Sequence, residues 1–329
     1  MTDAENNTEP KNVTAIVICY FTGPVLSRCL SSLRTQSEIL EIVIIDNGSL
    51  EDQIKNAVEQ SVENSSSPPV KIVSGHGNIG FAAACNKGAQ AAIGDYLLFI
   101  NPDAVLPEKG LTRLIDDADD FARPWMVGAK LIDPDGAEQQ GSRRGVLTPW
   151  RAFIEATKLY KIAPQHPYFR RFNLHDQQSP AEVVAVPTIS GACFVLPRSD
   201  YFLINGMDER YFLHVEDIDF CLRFSKAGGS VFFNPHVAVT HFKSSSRANP
   251  VRIEARKTRG IIRYFNTHFD KAYPQFFLVL VAAALWASFG VLAMRRMGGK
   301  IIRLAGLRAR SGRRGLEKAR SMTRRWSDR

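Results

Sequence analysis

The apolar positions of this chain come in short blocks whose period alternates. Val13–Tyr20 is an unbroken, β-branched run and predicts a buried strand. Val25–Gln36 switches to helical spacing, with Leu26, Cys29, Leu30 and Leu33 on one face. Glu41–Ile45 predicts a second buried strand that ends at Asp46-Asn47-Gly48-Ser49. A helix over Leu50–Val62, a loop at Ser65–Pro69 and a strand at Val70–Val73 follow. Phe81–Ala92 reads as an alanine-rich helix and Tyr96–Ile100 as a fourth strand. Strands alternating with helices at this rhythm predict an α/β fold, a mainly parallel sheet with helices on both faces.

Beyond residue 120 the pattern is less regular. Met126–Ile132 predicts a strand, and Asp133-Pro134-Asp135-Gly136 a tight turn. Leu147–Pro180 mixes aromatic residues, Pro and Arg without a period and is left unassigned, as a loop or lid. Ile189–Leu196, Ser230–Phe233 and Val237–Val239 are strand-like, Ile218–Ala227 is helical, and Val251–Phe269 predicts one helix at the domain's edge. Phe276–Met294 carries no charge over 19 residues, long enough to cross a bilayer or to lie in its surface.

Charge changes the picture only at the C-terminus. The 329 residues carry a net charge of +9, but Arg295–Arg329 holds 13 basic and 2 acidic side chains, while the first 294 residues hold 29 and 31. The body is therefore near neutral and the tail is strongly basic, which suits an anionic surface, lipid headgroups or nucleic acid. Next to an uncharged apolar stretch, lipid is the expected partner and no nucleic acid is expected. A spanning helix would separate the body from the tail. An in-plane or re-entrant helix keeps both on the cytoplasmic face of the inner membrane, as the excess of Lys and Arg requires. Met1–Lys11 is polar and without an apolar core, and is expected to be a disordered leader rather than a secretory signal. Five scattered cysteines with no Cys-x-x-Cys pair read as buried, reduced thiols.

Candidate chemistry sits where strands stop. Pro102 cannot donate a ladder hydrogen bond, so the strand before Asn101-Pro102-Asp103 ends there, with Asp103 at a strand's C-terminal edge. Open α/β sheets place ligands at that edge. Asp103 is either a turn residue or a hard oxygen ligand for Mg²⁺ or Mn²⁺. Asp46 has the same two readings, a turn or an acceptor of hydrogen bonds from a nucleoside. Glu216-Asp217 either supplies acids to a helix's first turn or includes a general base. His241, after an apolar run, is structural or a metal ligand. Gly75-His76-Gly77-Asn78-Ile79-Gly80 matches G-x-G-x-x-G, a dinucleotide fingerprint, but two strand–helix units already precede it.

Taken in order, Val-Ile-Ile-Asp46-Asn-Gly-Ser, Gly77-Asn-Ile-Gly-Phe81, Asn86-Lys87-Gly88, Phe-Ile-Asn101-Pro-Asp103-Ala, Ile-Ser190-Gly-Ala-Cys193, Gly206-Met-Asp-Glu-Arg-Tyr-Phe212, Glu216-Asp-Ile-Asp219 and His241-Phe-Lys-Ser-Ser-Ser246 resemble the family 2 glycosyltransferases. The resemblance covers about Val13 to Pro250. It implies the GT-A (nucleotide-diphospho-sugar transferase) fold, followed by a C-terminal membrane-associated helical segment. Asn-Pro-Asp, Asp-Glu-Arg-Tyr-Phe and the basic C-terminus look most like bacterial rhamnosyltransferases, which move rhamnose from a deoxythymidine diphosphate donor onto a lipid-linked cell-surface glycan.

The resemblance implies roles residue by residue. Asp217 is the catalytic base. Asp46, Asn78, Gly80, Asn101 and Arg143 lie on the donor side, Arg143 meeting phosphate. Asp103 holds a divalent metal, Mg²⁺ or Mn²⁺, with His241 as second ligand. Gly191 and Glu216 lie on the acceptor side. The family's metal motif is commonly Asp-x-Asp, and here its first position is Asn101, a neutral and weaker ligand. The implied partners are a nucleotide-sugar donor, a lipid-linked glycan acceptor and an anionic membrane surface. The implied division is a leader at 1–11, a catalytic domain at 12–249, an edge helix or linker at 250–275, an apolar helix at 276–294 and a basic tail at 295–329. Two other readings compete: a nicotinamide-dependent oxidoreductase resting on Gly75–Gly80, and a non-catalytic glycan- or lipid-binding relative that has lost its metal with Asn101.

Overall fold

The computed structural model describes residues 11–49, 52–62, 67–162, 166–243 and 249–296. The leader up to residue 10, Ser244–Ser246 of the last quoted block and the tail from residue 297 lie outside them.

The first half follows the predicted alternation. Strands β1 (Val13–Cys19), β2 (Ile39–Asp46), β3 (Val70–Val73) and β4 (Tyr96–Ile100) alternate with helices α1 (Val25–Arg34), α2 (Gln53–Gln60) and α3 (Phe81–Ala91). β1 pairs in parallel with both β2 and β4, and β3 lies outside β2. The chain goes out to β3 and then recrosses to β4, so the β1/β4 boundary is the topological switch point, where open sheets leave a ligand crevice. Alternation of side chains in β1 divides the core. Val13, Ala15, Val17 and Cys19 pack beneath α1 and α2, while Ile16 and Ile18 pack beneath α3.

The second half holds β5 (Ala104–Val105), α4 (Gly110–Asp119), β6 (Trp125–Ile132), β7 (Arg143–Arg144), α5 (Pro149–Thr157), β8 (Val184–Ala185), β9 (Thr188–Ile189), β10 (Cys193–Pro197), α6 (Arg198–Leu203), α7 (Glu216–Lys226), β11 (Ser230–His241), α8 (Pro250–His268) and α9 (Gln275–Arg296). The main sheet is nine-stranded, in the order β3-β2-β1-β4-β10-β6-β11-β5 with β8 beside β11. It is mixed and mostly parallel along its long strands. β10 is the exception, antiparallel to β4 and to β6.

Three expected strands are drawn differently. The Ile189–Leu196 run is split at Ser190-Gly191-Ala192. Its first part, β9, pairs with β7 in a separate two-stranded sheet, and only β10 joins the main sheet. Ser230–Phe233 and Val237–Val239 are one strand, β11, whose register shifts between Asn234 and Ala238. Pro235 lies in that shift and cannot donate to the ladder, so a bulge absorbs it. The unassigned stretch contains α5, whose N-cap is Thr148, accepting from the Arg151 N–H, with Pro149 at the first helical position.

The C-terminal helices close a third apolar cluster. Leu278 and Val281 of α9 are buried against Tyr264 and Phe265 of α8, Ile218 of α7 and Ala152 of α5. Leu285 packs on the same cluster, and Ser288 Oγ reaches the Ala156 carbonyl at 3.3 Å. One stripe of α9 therefore rests on the body for about three turns. Its other face exposes Phe276, Val279, Leu280, Val291 and Leu292.

Candidate active site

Strand direction assembles the site. β10 runs against β4, so its first residue, Cys193, sits opposite Ile100, the last residue of β4. Ser190-Gly191-Ala192 is thereby carried to the same sheet edge as Asn101-Pro102-Asp103, and the Asn101 N–H donates to the Ala192 carbonyl at 2.8 Å. β5 begins at once after Asp103 and pairs Ala104 with His241 at the end of β11. That pairing sets Asp103 Oδ1 3.1 Å from His241 Nε2.

The surroundings of His241 fix its tautomer. Gln139 Nε2 donates to the Ile132 carbonyl, to Asp133 Oδ1 and to the His241 carbonyl. Gln139 therefore presents Oε1 to His241 Nδ1, 2.9 Å away, and Nδ1 must carry a proton. In the neutral ring, Nε2 is then a lone pair facing a carboxylate oxygen, an arrangement completed by a proton or a metal cation. Asp103 is 7% exposed, and the Asn101 amide lies 3.3 Å from the same Nε2.

The second centre is at the start of α7. His214 and Val215 both have positive φ, +65° and +76°. A β-branched residue there stores strain, on the order of 1–3 kcal/mol. The turn delivers Glu216 and Asp217 to the helix's N-terminus. Asp217 Oδ2 accepts from Arg144 at 2.5 Å and from the Gly191 N–H at 3.2 Å, while Oδ1 accepts from the Ile218 N–H at 2.8 Å. Burial alone would raise the Asp217 carboxyl. The Arg144 charge and hydrogen bond, with the Gly191 N–H, outweigh it and hold the group below its ordinary value. Glu216 goes the other way: burial and the neighbouring Asp217 charge push it up to about 8, and its Oε2 has no hydrogen-bond partner among the described residues. Burial and the Asp217 charge thus favour the proton-bearing form of Glu216, while Arg144 favours the ionised form of Asp217.

The remaining predicted residues are placed as follows. Asp46 Oδ1 accepts from the Gly48 and Ser49 N–H groups, closing a turn at the end of β2. Asn78 Oδ1 accepts from the Gly80 N–H. Gly80 has φ +89°, and a Cβ there would lie 2.7 Å from the Phe212 carbonyl. That carbonyl accepts from the Phe81 N–H at 2.7 Å. The first N–H of α3 is thus taken by the protein's own backbone, and the close packing of Gly80 on Phe212 leaves less room for a pyrophosphate than a dinucleotide fingerprint needs. Gly191 lies against Asp217, where a Cβ would come within 3.3 Å of Asp217 Cβ.

Two expectations need correction. Arg143 is committed to structure. It pairs with Glu138 at 2.9 Å, donates to the Gln177 and Gln178 carbonyls and packs over Phe233, so its guanidinium is spent. The arginine at the site is its neighbour Arg144. Glu216 is 5% exposed, too buried to meet an acceptor expected at its surface. Arg144 was missed because adjacent strand residues point to opposite faces, and the register of a two-residue strand is not written in its own sequence.

The matching family model, glycosyl transferase family 2, spans residues 14–195. The chain belongs to this family. It is a glycosyltransferase, and the family's matched segment contains the Asp46 turn, Asn101-Pro102-Asp103, Arg144 and Gly191. Among curated relatives, the N-acetylglucosaminyl-diphospho-decaprenol L-rhamnosyltransferase of Mycobacterium tuberculosis is 28% identical over 246 residues, covering 70% of this chain and 76% of that protein. Rhamnosyltransferase WbbL of Escherichia coli K12 is 24% identical over 172 residues, 51% of this chain and 60% of that one. Among solved structures, a mannosyltransferase from Pyrobaculum calidifontis in complex with GDP-Man and Mn²⁺ superposes with a TM-score of 0.53 at 15% identity, covering 90% of this chain and 81% of that one. GalNAc-T7 with UDP, GalNAc and Mn²⁺ gives 0.58 at 15% identity over 80% of this chain, which spans about half (49%) of that structure. These likenesses carry the GT-A fold.

Proposed function

We propose that this chain moves L-rhamnose from a deoxythymidine diphosphate donor onto a lipid-linked glycan, with inversion at the anomeric carbon, at the cytoplasmic face of the inner membrane. The observation that carries the reading is the Asp217 carboxylate, held ionised by Arg144 and the Gly191 N–H. It is joined through Ala192 and Asn101 to the Asp103–His241 pair beyond the C-terminal end of β4. The names of the rhamnosyltransferase relatives support the sugar and the lipid-linked acceptor.

Asp217 Oδ2 is occupied by its two donors, and Oδ1 keeps a lone pair beyond the Ile218 N–H. Oδ1 is the atom that takes the acceptor hydroxyl's proton as that oxygen attacks the anomeric carbon from the face opposite the leaving diphosphate. A single displacement inverts the configuration. Glu216, keeping its own proton, does not compete for the base's charge. Asp46 and Asn78 take the nucleoside, with Gly80 on the same donor side and Asn101 on the metal side of the diphosphate. Asp103 and His241 would hold a divalent ion, Mg²⁺ or Mn²⁺, whose charge offsets that of the departing diphosphate when bound.

The catalytic domain spans 12–249 in this reading. The edge helix at 250–275 and the apolar helix at 276–294 dock on it, and the tail at 295–329 meets an anionic membrane. The most apolar 18-residue stretch of α9 has a mean hydropathy of 2.4, and the helix of 22 residues is about 33 Å long. A helix with one stripe docked on the body and the opposite face apolar and exposed suits in-plane membrane association.

Donor binding tests the reading. Calorimetry with deoxythymidine diphosphate should show Mn²⁺-dependent binding that Asp103→Ala weakens at least about tenfold, the loss of one charge-assisted contact. Equal, metal-independent affinity in both proteins would sink the donor-site assignment.

A further inference from the structure

A cavity of about 840 Å³ opens between the segment 145–187 and the start of α9. Its wall begins at Gly145, one residue beyond Arg144, and ends at Tyr273, two residues before α9. Its lining combines the aromatic groups Trp150, Tyr168 and Tyr273 with the guanidinium groups of Arg151 and Arg170.

The charges in it are not balanced by protein. Arg171, also on the wall, is fully paired, with Glu155 at 3.2 Å and Asp176 at 3.1 Å. Arg151 by contrast donates only to the Val146 carbonyl, at 2.7 Å, and Arg170 has no side-chain partner among the described residues. Arg151 is half-buried, and burial together with the positive charge of Arg170 lowers its hold on its proton. Two like charges facing one cavity, neither with a carboxylate of its own, repel each other, and a multiply charged anion relieves that repulsion.

The apolar surface beside the cavity continues the site. Tyr273 stacks on Phe277, 5.6 Å between centroids, and Phe277 in turn touches Trp150. Beyond it, α9 exposes Phe276, Val279 and Leu280. A ligand with an anionic head and a hydrocarbon tail matches both parts.

The geometry points to this cavity as the seat of the diphosphate of a polyprenyl-linked acceptor, held by Arg151 and Arg170, with α9 as the rail for its hydrocarbon chain. The inference rests on the transferase reading above and adds to it the acceptor's binding site. The sugar attached to that diphosphate then extends past Gly145 towards Asp217.

Farnesyl diphosphate is a suitable probe, titrated calorimetrically into the full-length protein with EDTA present so that no metal draws the diphosphate to the donor site. The wild type should bind it, Arg170→Gln should weaken binding about tenfold, and Arg151→Gln with Arg170→Gln should weaken it further. Farnesol should bind all three proteins alike. The exposed Arg170 makes no fold-stabilising bond, so the single variant stays informative if the double variant unfolds. Unchanged affinity for farnesyl diphosphate in Arg170→Gln would overturn the inference. So would a variant that keeps farnesyl diphosphate and instead loses binding to phosphatidylglycerol vesicles, because the cavity would then serve bilayer lipid. Mn²⁺-dependent binding of deoxythymidine diphosphate, measured on the same samples, separates the two failures. Its loss in the wild type counts against the transferase reading alone.

Discussion

Replacing Arg144 by Met tests the electrostatics of the site. The side chain is about as long and keeps its packing near Phe172, over which the guanidinium carbon sits at 5.7 Å. It loses the charge, the 2.5 Å contact with Asp217 Oδ2 and the 2.5 Å donation to the Ile189 carbonyl. Both partners of the pair are largely buried, with side-chain exposures of 10% and 16%, so solvent screens little of the loss. Stranding one member of such a pair costs about 3–5 kcal/mol, a large share of the roughly 5–15 kcal/mol that a domain has. The sign with pH follows from the depressed Asp217 group. Its contribution is present above the ordinary carboxylate range and disappears as pH falls through the folded value. In Arg144→Met that contribution vanishes, the acid limb of the rate profile moves to higher pH, and the rate at pH 6 falls more than about tenfold, or 1.4 kcal/mol in the barrier. Initial rates from pH 4 to 8.5 with saturating donor, beside urea unfolding curves, read both effects. Arg144→Lys, which keeps a charge but loses the fork, should fall between. A variant whose profile and unfolding curve both superpose on the wild type would refute the reasoning.

Glu216→Gln should gain stability relative to the wild type as pH rises. A raised folded value means that the native state keeps its proton, so the wild type loses stability between pH ~4.5 and about 8, on the order of a few kcal/mol, while the amide does not titrate; urea midpoints at pH 5 and pH 8 would show whether the two proteins diverge. Full-length protein should float with anionic liposomes. Charged substitutions at Val279 and Leu280, on the exposed face of α9, should release it without unfolding the body, whereas equal flotation of the variant would exclude that face as the membrane contact.

Much of the fold was legible because its first half is local. The Val13–Tyr20 run, the helical spacing of Leu26, Cys29, Leu30 and Leu33, and the stop at Pro102 each carry their own signal, and a parallel sheet follows from their alternation. What stayed hidden depends on pairings distant in sequence. Nothing in Cys193–Pro197 says that it runs antiparallel to Tyr96–Ile100, yet that direction is what brings Gly191 to Asn101. Helix α4 went unread, as did α5, although Thr148-Pro149 is an N-cap followed by a first-turn proline. Asp103 and His241 were singled out on their strand-end positions and by resemblance, and the β5–β11 pairing sets them side by side. Arg143, expected at the donor phosphate, shows the limit: a one-residue difference reverses the face, and only the partner strand decides that Arg143 turns to Glu138 and Arg144 to Asp217.

The transfer rate of Asp217→Asn, with donor affinity measured on the same protein, tests the central claim most directly. The amide keeps the shape of the side chain and lacks its basicity. The account predicts a fall of about 10²- to 10⁴-fold with donor affinity unchanged. A variant that keeps more than about a tenth of the wild-type rate would show that another group takes the acceptor's proton.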